Sequence, residues 1–364
     1  MTVAPVPQDA VPALRDALWA AVTSRDEYRA ADVVFDALAQ GMAPEAVLLD
    51  LLAPLQVRVG AEWAANRLSV TQEHAASAIT ERVIAALAHH PAVRTAPTLG
   101  RVTVACVDQE WHALPARLLA EVLTLRGWRV DFLGAQVPTA HLIAHLHANG
   151  ADAVALSSSV PTRLPAAHAA ITGCQAIGIP VIAGGPAFGD DGRYARLLGA
   201  DAWAADARGA AEKLAAGIPA PDLAAGHRRI DDLPHLADQE FTFVARSQGD
   251  LVKTVLTRLE AAFPAMASYD AHQRERTAED IAHIVDFLAV ALYCDADELF
   301  AGFITWTAEI LTARHVPAAS LRPVLNILAT ELKDFPRSLR LLGEARRALD
   351  AASVPSGTHP GAHA

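Results

Sequence analysis

The stretch Arg101-Val102-Thr103-Val104-Ala105-Cys106-Val107, followed by Asp108-Gln109-Glu110-Trp111-His112-Ala113-Leu114-Pro115, decides the fold. It reads as a short buried strand, a polar loop and a helix beginning near Ala113. The same alternation recurs downstream. Trp128-Arg129-Val130-Asp131-Phe132-Leu133 precedes a helix from Thr139, and Asp152-Ala153-Val154-Ala155-Leu156 precedes one from Leu164. Pro180-Val181-Ile182-Ala183 runs into Gly184-Gly185, and Ala202-Trp203-Ala204-Ala205 precedes a helix from Arg208. Strands alternating with helices imply a parallel sheet covered on both faces. Five such units over residues 101–218 fit the flavodoxin-like, Rossmann-like doubly wound order, whose ligands sit at the carboxyl ends of the strands.

Outward from this segment the period changes. From Ala10 to about His90 apolar residues fall at helical spacing: Leu14, Leu18 and Val22, then Val33, Val34 and Leu38, then Val47, Leu48, Leu51 and Leu52. With Gly41 and Gly60 as punctuation, residues 1–90 predict a four-helix bundle. Residues 91–100 and 219–232, rich in Pro, Gly and Ala, read as linkers. Residues 238–350 predict an all-α domain of five or six helices. Leu251, Val255, Leu259 and Phe263 form one stripe, and Leu321, Val324, Leu325, Leu328 and Leu332 another. Thr277-x-x-Asp280 reads as a capping box opening a helix before Ile281. Residues 351–364 are expected to be a disordered tail.

The chain's 364 residues suffice for two or three domains, and 52% hydrophobic with 20% charged residues fits packed cores. A formal net charge of −11 argues against a duplex nucleic-acid binder, which needs a basic face. Cys106, Cys174 and Cys294 form neither a metal motif nor a disulfide framework, so a reducing cytoplasm is expected. No apolar run reaches the roughly 20 residues of a membrane span, and no signal pattern opens the chain.

The loop after the first strand carries the chemistry. A histidine at a strand's carboxyl end can reach a ligand in the sheet crevice, and a neutral imidazole is a good transition-metal ligand. Glu110, two residues before His112, can accept its other N–H and fix the tautomer. Glu110-x-His112-x-x-Pro115 resembles the D-x-H-x-x-G pattern of cobalamin-binding domains of the methionine-synthase type, with Glu for Asp and Pro for Gly. Ser157-Ser158-Ser159 stands where that family has S-x-L. Gly184-Gly185 stands where paired glycines let the nucleotide tail pass close to the backbone. The resemblance implies cobalamin, with Ser157, Ser159, Gly184 and Gly185 around the tail and His112 on the cobalt.

In the bundle, Trp63 is followed by nine residues and then Glu73-His74. That spacing resembles the cap of the light-sensing adenosylcobalamin photoreceptors of the carotenoid-gene repressor family. The resemblance implies adenosylcobalamin, with Trp63 and Glu73 against the upper adenosyl group. His74 would be a second cobalt ligand once light has expelled that group. In the repressors a DNA-binding domain precedes the bundle. None is read here, so direct DNA contact is not expected.

Residues 238–350 carry no catalytic motif. They offer Tyr269, Arg274, Arg276, Asp280, His283 and Arg314 amid apolar helices. A linear tetrapyrrole needs a flat apolar slot, a carboxylate or base near its pyrrole N–H groups, and cations for its propionates. Asp280, His283 and Phe287 share one helical face. The whole arrangement resembles the photocobilins, a cobalamin photoreceptor module fused to a globin-like domain that binds biliverdin. A dimerising bundle and a haem globin with His283 as proximal ligand are the alternatives. The resemblance implies a light sensor, not an enzyme, that signals through a homo-oligomer or a separate output protein. A corrinoid methyl carrier and a cobalamin delivery protein are the rivals.

Overall fold

A computed structural model describes residues 10–221 and 233–352. The chain divides into two compact units, with the boundary between Asp232 and Leu233. Most of the expected second linker, the first nine residues and the tail from Ser353 lie outside the described residues.

The first unit opens with helices α1 (Val11–Thr23) and α2 (Glu27–Ala39). The third rod of the bundle runs from α3 (Pro44–Ala46) through a π-helical segment, Val47–Leu52, into α4 (Ala53–Ala64). Helix α5 (Val70–His89) is the fourth rod of the bundle. Gly41 takes a left-handed φ of 91° and ends a helix as expected. Gly60 does not punctuate: it lies inside α4, and the chain turns instead at Asn66, with φ 57°. Glycine lowers helix propensity by about 1 kcal/mol, which the apolar stripe on either side outweighs.

The next element is strand β1 (Arg101–Cys106), followed by α6 (Ala113–Leu125), β2 (Arg129–Gly134) and α7 (Thr139–Asn149). Then come β3 (Ala153–Ser157), α8 (Leu164–Ala176), β4 (Val181–Gly184), α9 (Arg193–Leu197), β5 (Ala202–Ala204) and α10 (Ala207–Ala216). The five strands are parallel, in the order β2-β1-β3-β4-β5. This is the expected doubly wound order, and its direction reverses between β1 and β3. Every residue of β3 is buried, as a central strand covered on both faces requires.

Bundle and sheet share one continuous core, in which Leu48, Leu51, Val83 and Leu87 belong to the same cluster as Leu118, Val122 and Leu123. Polar pairs reinforce the seam. Arg126 donates to both carboxylate oxygens of Glu45 at 3.0 and 2.8 Å, and Arg208 donates to Asp50 at 3.0 Å.

The second unit has six helices among its described residues: Glu240–Arg246, Gln248–Ala262, Ala271–Cys294, Asp297–Ala313, Leu321–Glu331 and Pro336–Ala352. Residues 351 and 352 thus extend a helix rather than open the tail. The capping box expected at Thr277 is corrected by the structure. The helix is capped seven residues earlier, where Asp270 accepts from the Gln273 amide at 2.7 Å and Gln273 reaches back to the Asp270 amide at 3.0 Å. Thr277 lies inside it and donates to the Gln273 carbonyl at 2.8 Å. The all-α architecture agrees with the pattern.

Candidate functional site

The β1–α6 loop folds around Glu110, whose side chain is 1% exposed. Its Oε1 accepts from the His112 amide at 2.9 Å and lies 2.6 Å from His112 Nδ1. Its Oε2 accepts from the amides of Ser159 and Val160 at 2.7 and 3.1 Å and from the Ser158 hydroxyl at 3.1 Å. One buried carboxylate therefore clasps the loops after β1 and β3, the two strands flanking the switch point. Burial works to raise its pKa, but the hydrogen bonds from the His112 ring and from the three amides prevail and hold it at about 2. An ionised Glu110 assigns the proton to Nδ1 and leaves the Nε2 lone pair of a neutral ring for a ligand. The His112 side chain is 61% exposed and in reach of one.

The bond to Glu110 raises the His112 pKa against desolvation, with further help from the charges of Glu110 and of Glu73. That last contribution comes from the bundle. Glu73 and His74 lie in the first turn of α5, started by a capping box of Ser69 and Gln72. Glu73 accepts from the Ser77 hydroxyl at 2.8 Å and pairs with His74 Nδ1 at 2.5 Å. Ser77 also donates to Gln56 at 3.2 Å, and Gln56 donates to Thr80 at 2.6 Å. This rail fixes Glu73 to α4, which carries Trp63, half-buried, in its last turn. Trp63, Glu73 and His74 thus sit at adjoining ends of α4 and α5.

Strand register builds the rest. Cys106 pairs with Ser157, Ser157 with Gly184, and Gly184 with Ala204, so one row crosses the carboxyl rim of four strands. Above it opens a cavity of about 450 Å³, lined by Ser157, Gly184, Gly185, Leu114 and Pro115 and, from the bundle, by Gln56. The two glycines differ in cause. Gly185 has φ 101°, and a Cβ there would lie 2.3 Å from the Ser158 carbonyl oxygen, so the backbone demands glycine. At Gly184 a Cβ would meet nothing closer than the Ala204 carbonyl at 3.4 Å, and the missing side chain leaves the cavity open. Ser159 serves through its amide to Glu110.

Sequence reasoning missed Ser158, although it lies inside the serine triplet that drew attention, and missed Gln56 and Ser77 altogether. Their partners lie 48, 24 and 21 residues away for the Ser158–Glu110, Gln56–Thr80 and Ser77–Gln56 bonds, distances over which a loop or helix pattern carries no signal.

In the second unit the expected residues separate into two groups. Arg274 is bound to Glu260 and to the carbonyls of Tyr269 and Met266, and Arg276 pairs with Glu279 at 2.7 Å. These contacts brace the start of the long helix, and Tyr269 takes part through its backbone. Asp280, His283 and Phe287 follow on that helix. Phe287 stacks on Phe303 at 3.7 Å between centroids, and Phe303 stands 6.2 Å from Trp306, which is 45% exposed. Asp280 keeps an open residue surface, yet desolvation of its carboxyl pushes its pKa up against the pull of His283, with Glu279 adding to the rise and Arg314 opposing it. The face is open rather than a closed slot.

Comparison with known proteins agrees with the first unit's geometry. Residues 100–215 match the family model of the B12 binding domain, and residues 14–88 match a second B12 binding domain model. The two matches together span most of the first unit. The HTH-type transcriptional repressor CarH of Myxococcus xanthus is 34% identical over 149 residues, covering 40% of this chain and 47% of that protein. CarA, an HTH-type transcriptional repressor of the same organism, is 32% identical over 177 residues, 47% of this chain and 58% of the relative. The chain spans about half the length of these curated relatives. A corrinoid protein for monomethylamine from Methanosarcina barkeri superposes with TM-score 0.48 at 18% identity, over 55% of this chain and 96% of that one.

The names of the relatives are those of regulators, not enzymes, in line with the non-enzymatic role expected. They are also named as HTH-type transcriptional repressors, which sits slightly against the expectation of no direct DNA contact. Among the described residues no helix is long and apolar enough to cross a membrane.

Proposed function

We propose that the protein is a light sensor that binds adenosylcobalamin between its bundle and its sheet, with His112 as the lower cobalt ligand. The observation that carries this reading is the Glu110–His112 pair at the switch point, faced by Glu73 of the bundle. The residues fit the group. One imidazole is held by a carboxylate with its outer nitrogen exposed, and beside it the rim cavity has room for a nucleotide tail at Ser157, Gly184 and Gly185. Trp63 and Glu73 are assigned to the upper face, and His74, exposed beside them, is the bundle's candidate second cobalt ligand. Bound adenosylcobalamin supplies a cobalt–carbon bond that visible light breaks. The bundle responds to contact: a group that touches Trp63 and Glu73 in one state and not the other biases its position. The kinship with CarH and CarA favours this use over methyl carriage, for which the upper trio has no task.

The test is absorption of dark-reconstituted protein before and after green light, with oligomeric state measured alongside. Loss of the alkylcobalamin bands with a change in assembly is expected. Adenosylcobalamin that survives illumination, with methylation of the reduced corrinoid by a partner, would favour the carrier. His112→Ala should abolish the histidine-bound spectrum.

For the second unit we propose a globin-like fold and a biliverdin site on the face of Asp280, His283 and Arg314. The stacked Phe287 and Phe303 with half-open Trp306 favour a flat conjugated ligand there. Biliverdin added in the dark should give a bound red band that His283→Ala shifts. Its absence in the parent protein would leave the helices as an interaction module.

A further inference from the structure

We infer that the start of the second unit is a releasable cap on the helix Ala271–Cys294, and that a movement of the first unit reaches the helices by drawing this cap away. The trigger of this relay rests on the light-sensor reading above.

An α-helix leaves its last carbonyls without intrahelical donors, and other groups must supply them. Here the Ala296 amide returns to the Ala291 carbonyl at 3.0 Å, passing over Leu292, and Asp295 turns left-handed with φ 49°. The carbonyls of Leu292 and Tyr293 take donors from elsewhere in the chain. Arg337, at the start of the helix Pro336–Ala352, donates to the Leu292 carbonyl. The ring Nε2 of His235 donates to the Tyr293 carbonyl at 2.9 Å. A guanidinium at this end also complements the negative pole of the helix dipole.

His235 lies in the single 3-10 turn Pro234–Asp238, directly after the boundary between the units. Leu233 and Glu240 are buried, but no residue between them is. Polar bonds fasten the segment instead. Arg337 donates to the His235 carbonyl at 3.0 Å, to the Asp238 carboxylate at 2.9 Å and to Asp295 at 3.2 Å. Glu240 accepts from the amides of Arg337 and Ser338 at 2.9 and 2.7 Å. One guanidinium and one imidazole thus join the chain's entry into the unit to the end of a 24-residue helix.

A short turn held by a few polar bonds opens more readily than a packed helix. When the segment is drawn off, His235 leaves with it. The Tyr293 carbonyl loses its donor, and the last turn of the helix frays. That end lies about two turns beyond Phe287 of the aromatic face. The helix end therefore has two states, capped and frayed, and a relay requires such an element.

The test is hydrogen–deuterium exchange on the full-length protein loaded with adenosylcobalamin, in the dark and after green light, with photolysis read by absorption in the same samples. Amides of residues 292–296 are expected to exchange at least tenfold faster after light, with those of residues 281–288 unchanged. His235→Ala should show the fast exchange already in the dark and no further effect of light, while binding and photolysing adenosylcobalamin like the parent. His235→Gln, which keeps a side-chain N–H, should restore the slow dark exchange. Complete photolysis with unchanged exchange at residues 292–296 would overturn the relay and leave the light sensor standing. Parent-like dark exchange in His235→Ala would overturn the cap. Adenosylcobalamin that survives green light would remove the sensor reading, and the relay with it.

Discussion

At the residue scale the site turns on Glu110. It satisfies five donors while almost fully buried, so it cannot be replaced by an apolar residue without orphaning the amides of Ser159 and Val160. Residues that orient a metal's histidine commonly contribute 10–100-fold in affinity. Glu110→Gln keeps the size but loses the charge that fixes Nδ1–H, and its cobalamin affinity is expected to fall by about that range. Spectroscopic titration giving parent affinity would show that His112 orients itself. The two rim glycines make a sharper pair. Gly185→Ala puts a Cβ against the Ser158 carbonyl at a φ of 101°, and a loss of about 1–3 kcal/mol in unfolding free energy is expected. Gly184→Ala should unfold like the parent in the same denaturant titration. Equal destabilisation of both would mean that backbone strain is not what distinguishes them.

At the element scale the seam holds the bundle to the sheet domain through Glu45, just before the π-helical segment Val47–Leu52, and Asp50, within it. The hydrogen bond from Arg126 lowers the Glu45 pKa from 4.5, against burial, with the charges of Arg126 and Arg208 adding to the effect. A carboxylate with a lowered folded pKa stabilises the fold while ionised. The contribution is complete above pH 4.5 and is lost as pH falls through the lower folded value. Glu45→Gln should therefore cost about 1 kcal/mol at pH 7 and progressively less below pH 4.5, as followed by the Tm of each protein across pH. Parallel pH profiles would rule the pair out as a clamp. None of this is legible in the sequence, because Val47, Leu48, Leu51 and Leu52 present the same apolar spacing to an α- or a π-turn. The sheet is legible, since each strand is a short apolar run bounded by loop residues, and its order follows from the alternation with helices. The start of the helix at Ala271 is not. Two cap-like patterns, at Asp270 and at Thr277, lie seven residues apart on the same face, and local pattern does not choose between them. Likewise Glu110 and His112 announce each other at two residues' spacing, whereas Ser158 is brought to them by strand pairing alone.

At the scale of the whole molecule, every residue assigned to cobalamin lies in the first unit, from Trp63 to Gly185, and that unit has its own core running from Leu18 to Leu214. The second unit has an independent core, with Leu288, Phe300, Leu325 and Leu342 fully buried. Self-contained cores of this kind fold as separate domains. A chain ending at residue 221 is thus expected to bind adenosylcobalamin with affinity within about threefold of the full-length protein, a difference under 1 kcal/mol, and to lose its alkyl bands in green light at the same rate. The same chain should bind no biliverdin, whereas full-length protein does so under the proposal. Two outcomes separate the readings. A tenfold weaker cobalamin site in the shorter chain would mean that residues 233–352 help to build or close it, and the helices would then be part of the cobalamin machinery rather than a second sensor. Unchanged cobalamin binding with the light-driven change of assembly lost would place the output in the helical unit, since the photochemistry would remain while its consequence did not.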